Sequence, residues 1–147
     1  MLSNTCKYAV RALIYLGKYS EDGTKIGIKK IASDLMIPTP FLGKILQNLV
    51  RQKILVSTKG PNGGFGLGKK TSEISLYEIV RIVDGEDFFK NCLIGLQPCS
   101  THEQNEKPCP VHSRFGPIRA QLYQFYQETT IAAILGDMTG FEDLVKL

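Results

Sequence analysis

A mainly α-helical chain carrying one small β-hairpin is what this sequence of 147 residues predicts, and three observations lead there. Two short apolar-periodic runs flank Ile37-Pro38-Thr39-Pro40-Phe41: one is Ile28 to Leu35, and the other places Leu42, Ile45, Leu46 and Leu49 on one helical face. A short run, Ile54-Leu55-Val56-Ser57, then leads into the glycine-rich, lysine-bearing stretch from Lys59 to Lys70. Charge is also divided. Residues 1–70 hold 12 Lys/Arg against 3 Asp/Glu, a balance of +9, whereas residues 71–147 hold 6 against 11, a balance of −5. Two helices, a tight turn and a basic hairpin describe a winged helix-turn-helix. A long apolar-faced segment near the end adds a C-terminal dimerisation helix.

Residues 3–19 form the first helix, with Ala9, Ala12, Leu13 and Leu16 as its apolar stripe and small alanines that allow close packing. Tyr8 and Arg11, near its start, are expected to face solvent. Residues 28–35 turn Ile28, Ile31 and Leu35 inward and leave Lys29 and Lys30 outside, where a phosphate can be met. Thr39 has the chemistry of an N-cap, and Pro40 suits the first helical position, where its missing N–H costs nothing. The helix that follows, about 40–52, exposes Phe41, Lys44, Gln47, Asn48 and Arg51 opposite its leucines. Its first turn should enter a DNA groove: Thr39 and Phe41 suit thymine methyls or phosphates, and Lys44 suits guanine or phosphate. Gly43 inside this helix costs about 1 kcal/mol relative to alanine, which points to close backbone approach to DNA or to tolerance at an exposed site.

Strands are expected at residues 54–57 and about 65–69, joined through Pro61-Asn62-Gly63-Gly64, which supply the positive-φ positions of a tight hairpin. Lys59, Lys69 and Lys70 make this wing basic, and the amides around Asn62, Gly63 and Gly64 can approach phosphate or minor groove. The stretch lacks the Gly-Lys-Ser/Thr ending and following helix of a nucleotide-binding loop, which excludes that reading.

Ser75-Leu76-Tyr77-Glu78 is a capping box opening a helix of about 75–84, closed by Gly85. Residues 86–112 show no regular periodicity. A single long helix is expected over about 114–135, with Phe115, Ile118, Leu122, Phe125 and Thr129 on one face, packing on residues 3–19 and on a second copy of the chain. Thr139 to Glu142 offers another capping box, before a short helix over residues 141–145. The resulting domains are 1–85 for DNA, 86–112 as a cysteine-rich loop and 113–147 for dimerisation.

No apolar run approaches the roughly 18 residues of a membrane span. The first residues lack a signal peptide's apolar region, so a cytoplasmic protein is expected. No nucleophile and base converge in the sequence, which argues against an enzyme. Three of the four cysteines lie in the loop as Cys92, Cys99 and Cys109, followed by His112. Thiolates suit zinc and iron–sulfur clusters, and imidazole can replace a thiolate at either. His102 is a competing ligand and Cys6 is remote in sequence. Unlinked thiols and a redox disulfide are the simpler alternatives.

The chain resembles the bacterial winged-helix regulators typified by IscR, NsrR and CymR, the Rrf-two family, over essentially its whole length. The resemblance is carried by Tyr8-Ala9-Val10-Arg11-Ala12-Leu13, Ile28 to Ala32, Leu42 to Leu49, Lys59-Gly60-Pro61-Asn62-Gly63-Gly64-Phe65 and Cys109-Pro110-Val111-His112. It implies a homodimer on a palindromic operator, most simply a repressor. It also implies an iron–sulfur cluster on Cys92, Cys99 and Cys109, with His112 matching the fourth ligand of the IscR subgroup and hence a [2Fe–2S] cluster, with [4Fe–4S] the other form. The DNA contacts expected are Lys29, Thr39, Phe41, Lys44, Gln47, Arg51, Lys59, Asn62, Gly63 and Gly64. Two alternatives stand beside this: a cluster-free or zinc-bound regulator controlled by thiol oxidation or a partner protein, and an iron–sulfur carrier. The basic first half argues against the carrier.

Overall fold

Ser3 starts the fold. Its hydroxyl accepts from the Cys6 N–H at 3.0 Å and caps helix α1, Asn4–Tyr19. The computed structural model describes residues 2–20, 23–95, 98 and 110–138. Ala9, Ala12, Leu13 and Leu16 are fully buried, as their spacing requires. At Gly17 the helix is approached so closely that a Cβ would stand 2.8 Å from the Leu135 side chain.

Helix α2, Ile28–Leu35, ends at Met36 in the left-handed region (φ 54°), and helix α3, Thr39–Arg51, follows after a three-residue turn. The expected cap at Thr39 is corrected: Pro38 is the N-cap and Thr39 already lies in the helix. Pro38 holds the extended backbone that an N-cap needs, and its carbonyl accepts from Phe41 and Leu42 at 3.1 and 3.0 Å. Pro40 still falls in the first turn, where no N–H is needed. Leu42, Ile45, Leu46 and Leu49 are buried, joining Ile31 and Leu35 of α2 in one core.

Strands β1, Leu55–Thr58, and β2, Gly64–Leu67, pair antiparallel, with Leu55 opposite Leu67 and Thr58 opposite Gly64. Positive φ falls on Gly60 and Gly64 rather than across the whole of residues 61–64. Ile26 adds a further pairing, exchanging two 2.9 Å backbone hydrogen bonds with Phe65. Gly64 is demanded there, because a Cβ would sit 2.4 Å from the Ile26 carbonyl oxygen. The wing is thereby rooted on the segment that enters α2.

Helix α4, Leu76–Val83, is capped by Ser75 and closed at Gly85 (φ +87°), whose N–H reaches the Val80 carbonyl. Only half of the expected capping box forms, since the Glu78 carboxylate pairs with Lys69 at 2.7 Å.

The loop expected at 86–112 contains a helical turn, α5, Asp87–Lys90. The long C-terminal helix is two: α6, His112–Glu128, and α7, Ile131–Asp137. Thr130 breaks it by capping α7 through Ala133 N–H, while the Thr129 carbonyl and Ile131 N–H pair with Leu76 and Ile74. Helix α6 packs on α4, while α1 is covered by α7 and α4 to similar extents. The short helix expected at 141–145 lies outside the described residues.

Candidate nucleic-acid interface and cysteine segment

Apolar residues at one side of α3 fix which of its residues are left for a partner. Lys44, Gln47 and Arg51 are exposed, and with Pro40, Gly43 and Asn48 they line a shallow groove of about 680 Å³. The expected row therefore exists, with one correction. Asn48 is half-buried and its Nδ2 donates to the Ile82 carbonyl at 3.2 Å, so it is drawn toward α4. Gly43 is half-buried in the groove, and a Cβ there would meet only the flexible end of the Ile28 side chain, Cδ1 at 3.3 Å.

Thr39 is half-buried at the head of α3, and Phe41 beside it is 40% exposed. Tyr8, expected in solvent, instead meets Phe41 edge to face with ring centres 5.7 Å apart. The Arg11 guanidinium stands 5.9 Å from the Tyr8 ring and donates to the Leu35 carbonyl at 3.3 Å. Phe41 is thus backed by Tyr8, and Tyr8 in turn by Arg11.

Lys29 is exposed on α2, whereas Lys30 pairs with Asp34 at 2.9 Å. Asp34 also accepts from the Tyr15 hydroxyl at 2.5 Å. Burial, reinforced by that hydrogen bond and the Asp34 charge, raises the Tyr15 pKa well above its ordinary value. On the wing, Lys59 and Asn62 are exposed and Gly63 and Gly64 half-buried. A Cβ at Gly63 would lie 2.1 Å from the Thr58 carbonyl oxygen, so the tight return of the hairpin itself requires glycine there. Lys69, counted as part of the basic wing, is committed to Glu78.

The second constellation lies at the junction of α5 and α6. Cys92 follows α5 and His112 opens α6, both half-buried; Cys99 and Cys109 lie outside the described residues, as does His102. Asn91 forms an isolated antiparallel bridge with Pro98. Arg119 of α6 donates to the Lys90 and Asn91 carbonyls, both at 3.5 Å. Phe88 and Phe89 of α5 pack edge to face on Tyr126 with ring centres 5.9 and 5.3 Å away, and Phe89 also meets Tyr77 and Tyr123. Cys6 is fully buried, and burial, with the Asp84 charge adding to it, pushes its thiol up to about 12. That thiol belongs to the core and is a poor ligand.

A family model described as Rrf2, iron-dependent transcriptional regulator, matches residues 2–137. The chain belongs to the Rrf2 family. An HTH-type transcriptional regulator of Aquifex aeolicus (strain VF5) is 32% identical over 135 residues, covering 92% of this chain and 91% of that protein. The HTH-type transcriptional regulator IscR of Yersinia pseudotuberculosis is 24% identical over 141 residues, 96% of this chain and 82% of that one. Among solved structures, CymR (YrzC), the global cysteine regulator of B. subtilis, superimposes with a TM-score of 0.77 at 19% identity, covering 92% of this chain and 96% of its own. The T. potens IscR does so with a TM-score of 0.73 at 18% identity, covering 97% and 90%. This Rrf2 protein is accordingly a DNA-binding transcriptional regulator, and its relatives are regulators rather than enzymes. None of its described helices is long and apolar enough to cross a membrane.

What the sequence reading of this Rrf2 chain missed is the support behind each site: Tyr8 and Arg11 behind Phe41, and Phe88, Phe89 and Arg119 beside Cys92. Their aromatic and cationic character was visible. Their partners, far away in the chain, were not.

Proposed function

We propose that this protein is a homodimeric regulator, acting as a repressor, whose DNA affinity responds to an iron–sulfur cluster held by Cys92, Cys99, Cys109 and His112. The DNA-reading set is Lys29, Thr39, Phe41, Lys44, Gln47 and Arg51, with Lys59, Asn62, Gly63 and Gly64 on the wing. Residues 1–85 act as the reader, 86–112 as the sensor and 113–147 as the dimerisation segment. The observation that carries the DNA-facing part is the groove on α3, whose exposed rim is Lys44, Gln47 and Arg51. Long polar and cationic side chains on a helix's free face suit base edges and phosphates.

For the sensor, the donor set fits by its chemistry. Three thiols and one imidazole are ligands that iron–sulfur clusters accept, and Cys92 and His112 are each partly accessible at the end of a helix. The buried Cys6 is a poor competitor. The cluster, when bound, supplies a redox-sensitive group whose loss or gain alters how firmly the 92–112 segment is tied down. The protein's own part is done by Arg119 and the aromatic rings, which hold α5 against α6.

Dimerisation is supported by Ile118, Leu122 and Phe125, which stand 59%, 40% and 55% exposed along α6. Their i, i+4, i+7 spacing puts them on one side of the helix, and a two-fold dimer suits a palindromic site.

The deciding experiment is the visible spectrum of protein purified without oxygen, together with Cys99→Ala. A coloured wild type and a colourless, still dimeric variant are expected. A colourless wild type carrying stoichiometric zinc would remove the cluster from the proposal and favour the zinc-bound reading.

A further inference from the structure

We propose that Asn48 is a positioning residue that couples recognition helix α3 to the α5 turn beside Cys92, acting through the C-terminal end of α4. The inference rests on the reading of α3 as the DNA-contacting helix and deepens it.

Helical spacing sends Asn48 to the same free side as Lys44, Gln47 and Arg51, yet its amide turns inward and donates to Ile82 O at 3.2 Å. Ile82 lies in the last turn of α4, where helix carbonyls have no partner within their own helix. Asn48 fills one of those vacancies from a different helix. The role demands a short side-chain donor. Alanine has none, and an ionised aspartate has only acceptors. Asn48 also lines the groove of α3, so a nucleic acid seated there meets the residue that grips α4.

The end of α4 is held from a second side as well, because the Asp84 carboxylate accepts from both the N–H and the hydroxyl of Ser3. Gly85 then turns the chain directly into α5. From there Phe88 and Phe89 pack among Tyr77, Tyr123 and Tyr126, and Arg119 reaches the carbonyls of Lys90 and Asn91 at 3.5 Å, immediately before Cys92. Between Ile82 and Cys92 the chain passes only through the turn at Gly85 and the short helix α5. A shift of α5 that keeps its ring contacts must carry the end of α4 with it, and Asn48 is the polar tie through which α3 follows. Coupling between sites needs such a continuous set of packed and hydrogen-bonded elements, and it acts equally in both directions.

That reciprocity gives the test. Hydrogen exchange is measured on the full chain purified without oxygen, alone and bound to a duplex selected by the wild type from a random-sequence library. The amides to read are Phe89 N–H and Asn91 N–H, which bond to Glu86 and Asp87 at 3.1 and 2.9 Å. In the wild type, DNA should change their protection at least about fivefold. Because Asn48 lines the groove, Asn48→Ala is compared at duplex concentrations that saturate it, and there the change should vanish; alanine is the better helix former, so the fold persists. A merely structural role would loosen α3 and α4 together and leave the DNA-driven change at α5 in place.

If the change survives in Asn48→Ala, or if the wild-type complex shows none, the coupling is overturned and the DNA-binding reading stands. If the wild type selects no duplex, the proposed function falls and takes the coupling with it. Should Asn48→Ala alone fail to bind DNA, the free proteins decide: exchange at Phe89 and Asn91 must be faster in the variant, and equal rates refute the proposal.

Discussion

Residues 28–67 and residues 86–112 are neighbours in one fold but are held by different forces. The first region is fixed by burial: Ile31, Leu35, Leu42, Leu46 and Leu49 share the core, and the hairpin is registered pair by pair and rooted on Ile26. The second, as far as it is described, has one helical turn with a single buried side chain, Phe89, rings meeting edge to face, an isolated bridge at Pro98 and two long hydrogen bonds from a half-buried arginine. Apolar burial is indifferent to ligands and oxidants. Ring contacts and single hydrogen bonds can be outweighed by a few metal–ligand bonds. Elements that respond to signals are drawn from the weakly held end of a protein, and this difference supports the proposed division into a reader and a sensor.

Truncating one leucine in each region puts the comparison at risk. Leu46 is fully buried, so Leu46→Ala should cost about 2–5 kcal/mol in urea unfolding, and DNA binding should fail once the native population falls. Leu93 is 58% exposed, so Leu93→Ala should stay within about 0.5 kcal/mol. Comparable losses at the two sites would show that the loop is as firmly packed as the reader.

The same division governs what could be read from the sequence. Helices α1 to α4 and the hairpin were legible because each carries its own evidence: apolar spacing over two or more turns, a cap such as Ser75, or a closing glycine such as Gly85. The one-residue displacement at Pro38 arose because Thr39 and Pro38 both suit the end of a helix, and only backbone geometry chooses between them. Helix α5 was hidden because four residues make one turn and show no period; its order comes from Phe88 and Phe89 docking on Tyr77, Tyr123 and Tyr126. The break at Thr130 was hidden for a related reason, since it depends on backbone pairing with Ile74 and Leu76. On the reader, Lys44, Gln47 and Arg51 stood where the helical period put them, whereas Asn48 did not, because no helical wheel knows where α4 ends. Residue type alone nominated Cys92 and His112, and the described structure leaves both partly accessible.

The thiols sharpen the contrast further. Cys6 lies in the core with its pKa raised to about 12, chiefly by burial, while Cys92 is half-buried just after α5. Iodoacetamide at pH 8 should therefore label Cys92 in cluster-free protein and spare Cys6 until the chain unfolds, as mass mapping would reveal. The native state holds the Cys6 proton more tightly than the unfolded chain does, whose thiols titrate at about 8.5. This contribution to stability is complete below that pH and is lost as pH rises toward 12. Thermal melts should accordingly decline across that window, and Cys6→Ala should make the decline shallower. Rapid labelling of Cys6 in the folded protein would place it outside the core and reopen it as a ligand.

The smallest effect expected tests the reader alone. Lys59 is exposed at the start of the wing loop, while Lys69, on the far side of the hairpin, pairs with Glu78 at 2.7 Å. If Lys59 neutralises one phosphate, Lys59→Ala should weaken binding to all duplexes about equally and reduce the slope of log K against log salt by about one. Sequence preference should not change, because phosphate contacts position a protein without reading bases. Lys69→Ala should leave that slope untouched and instead cost a little stability, since it releases the half-buried Glu78 from its partner. A salt slope that fell with Lys69→Ala and held with Lys59→Ala would reverse the assignment, putting the base of the wing rather than its loop against the DNA.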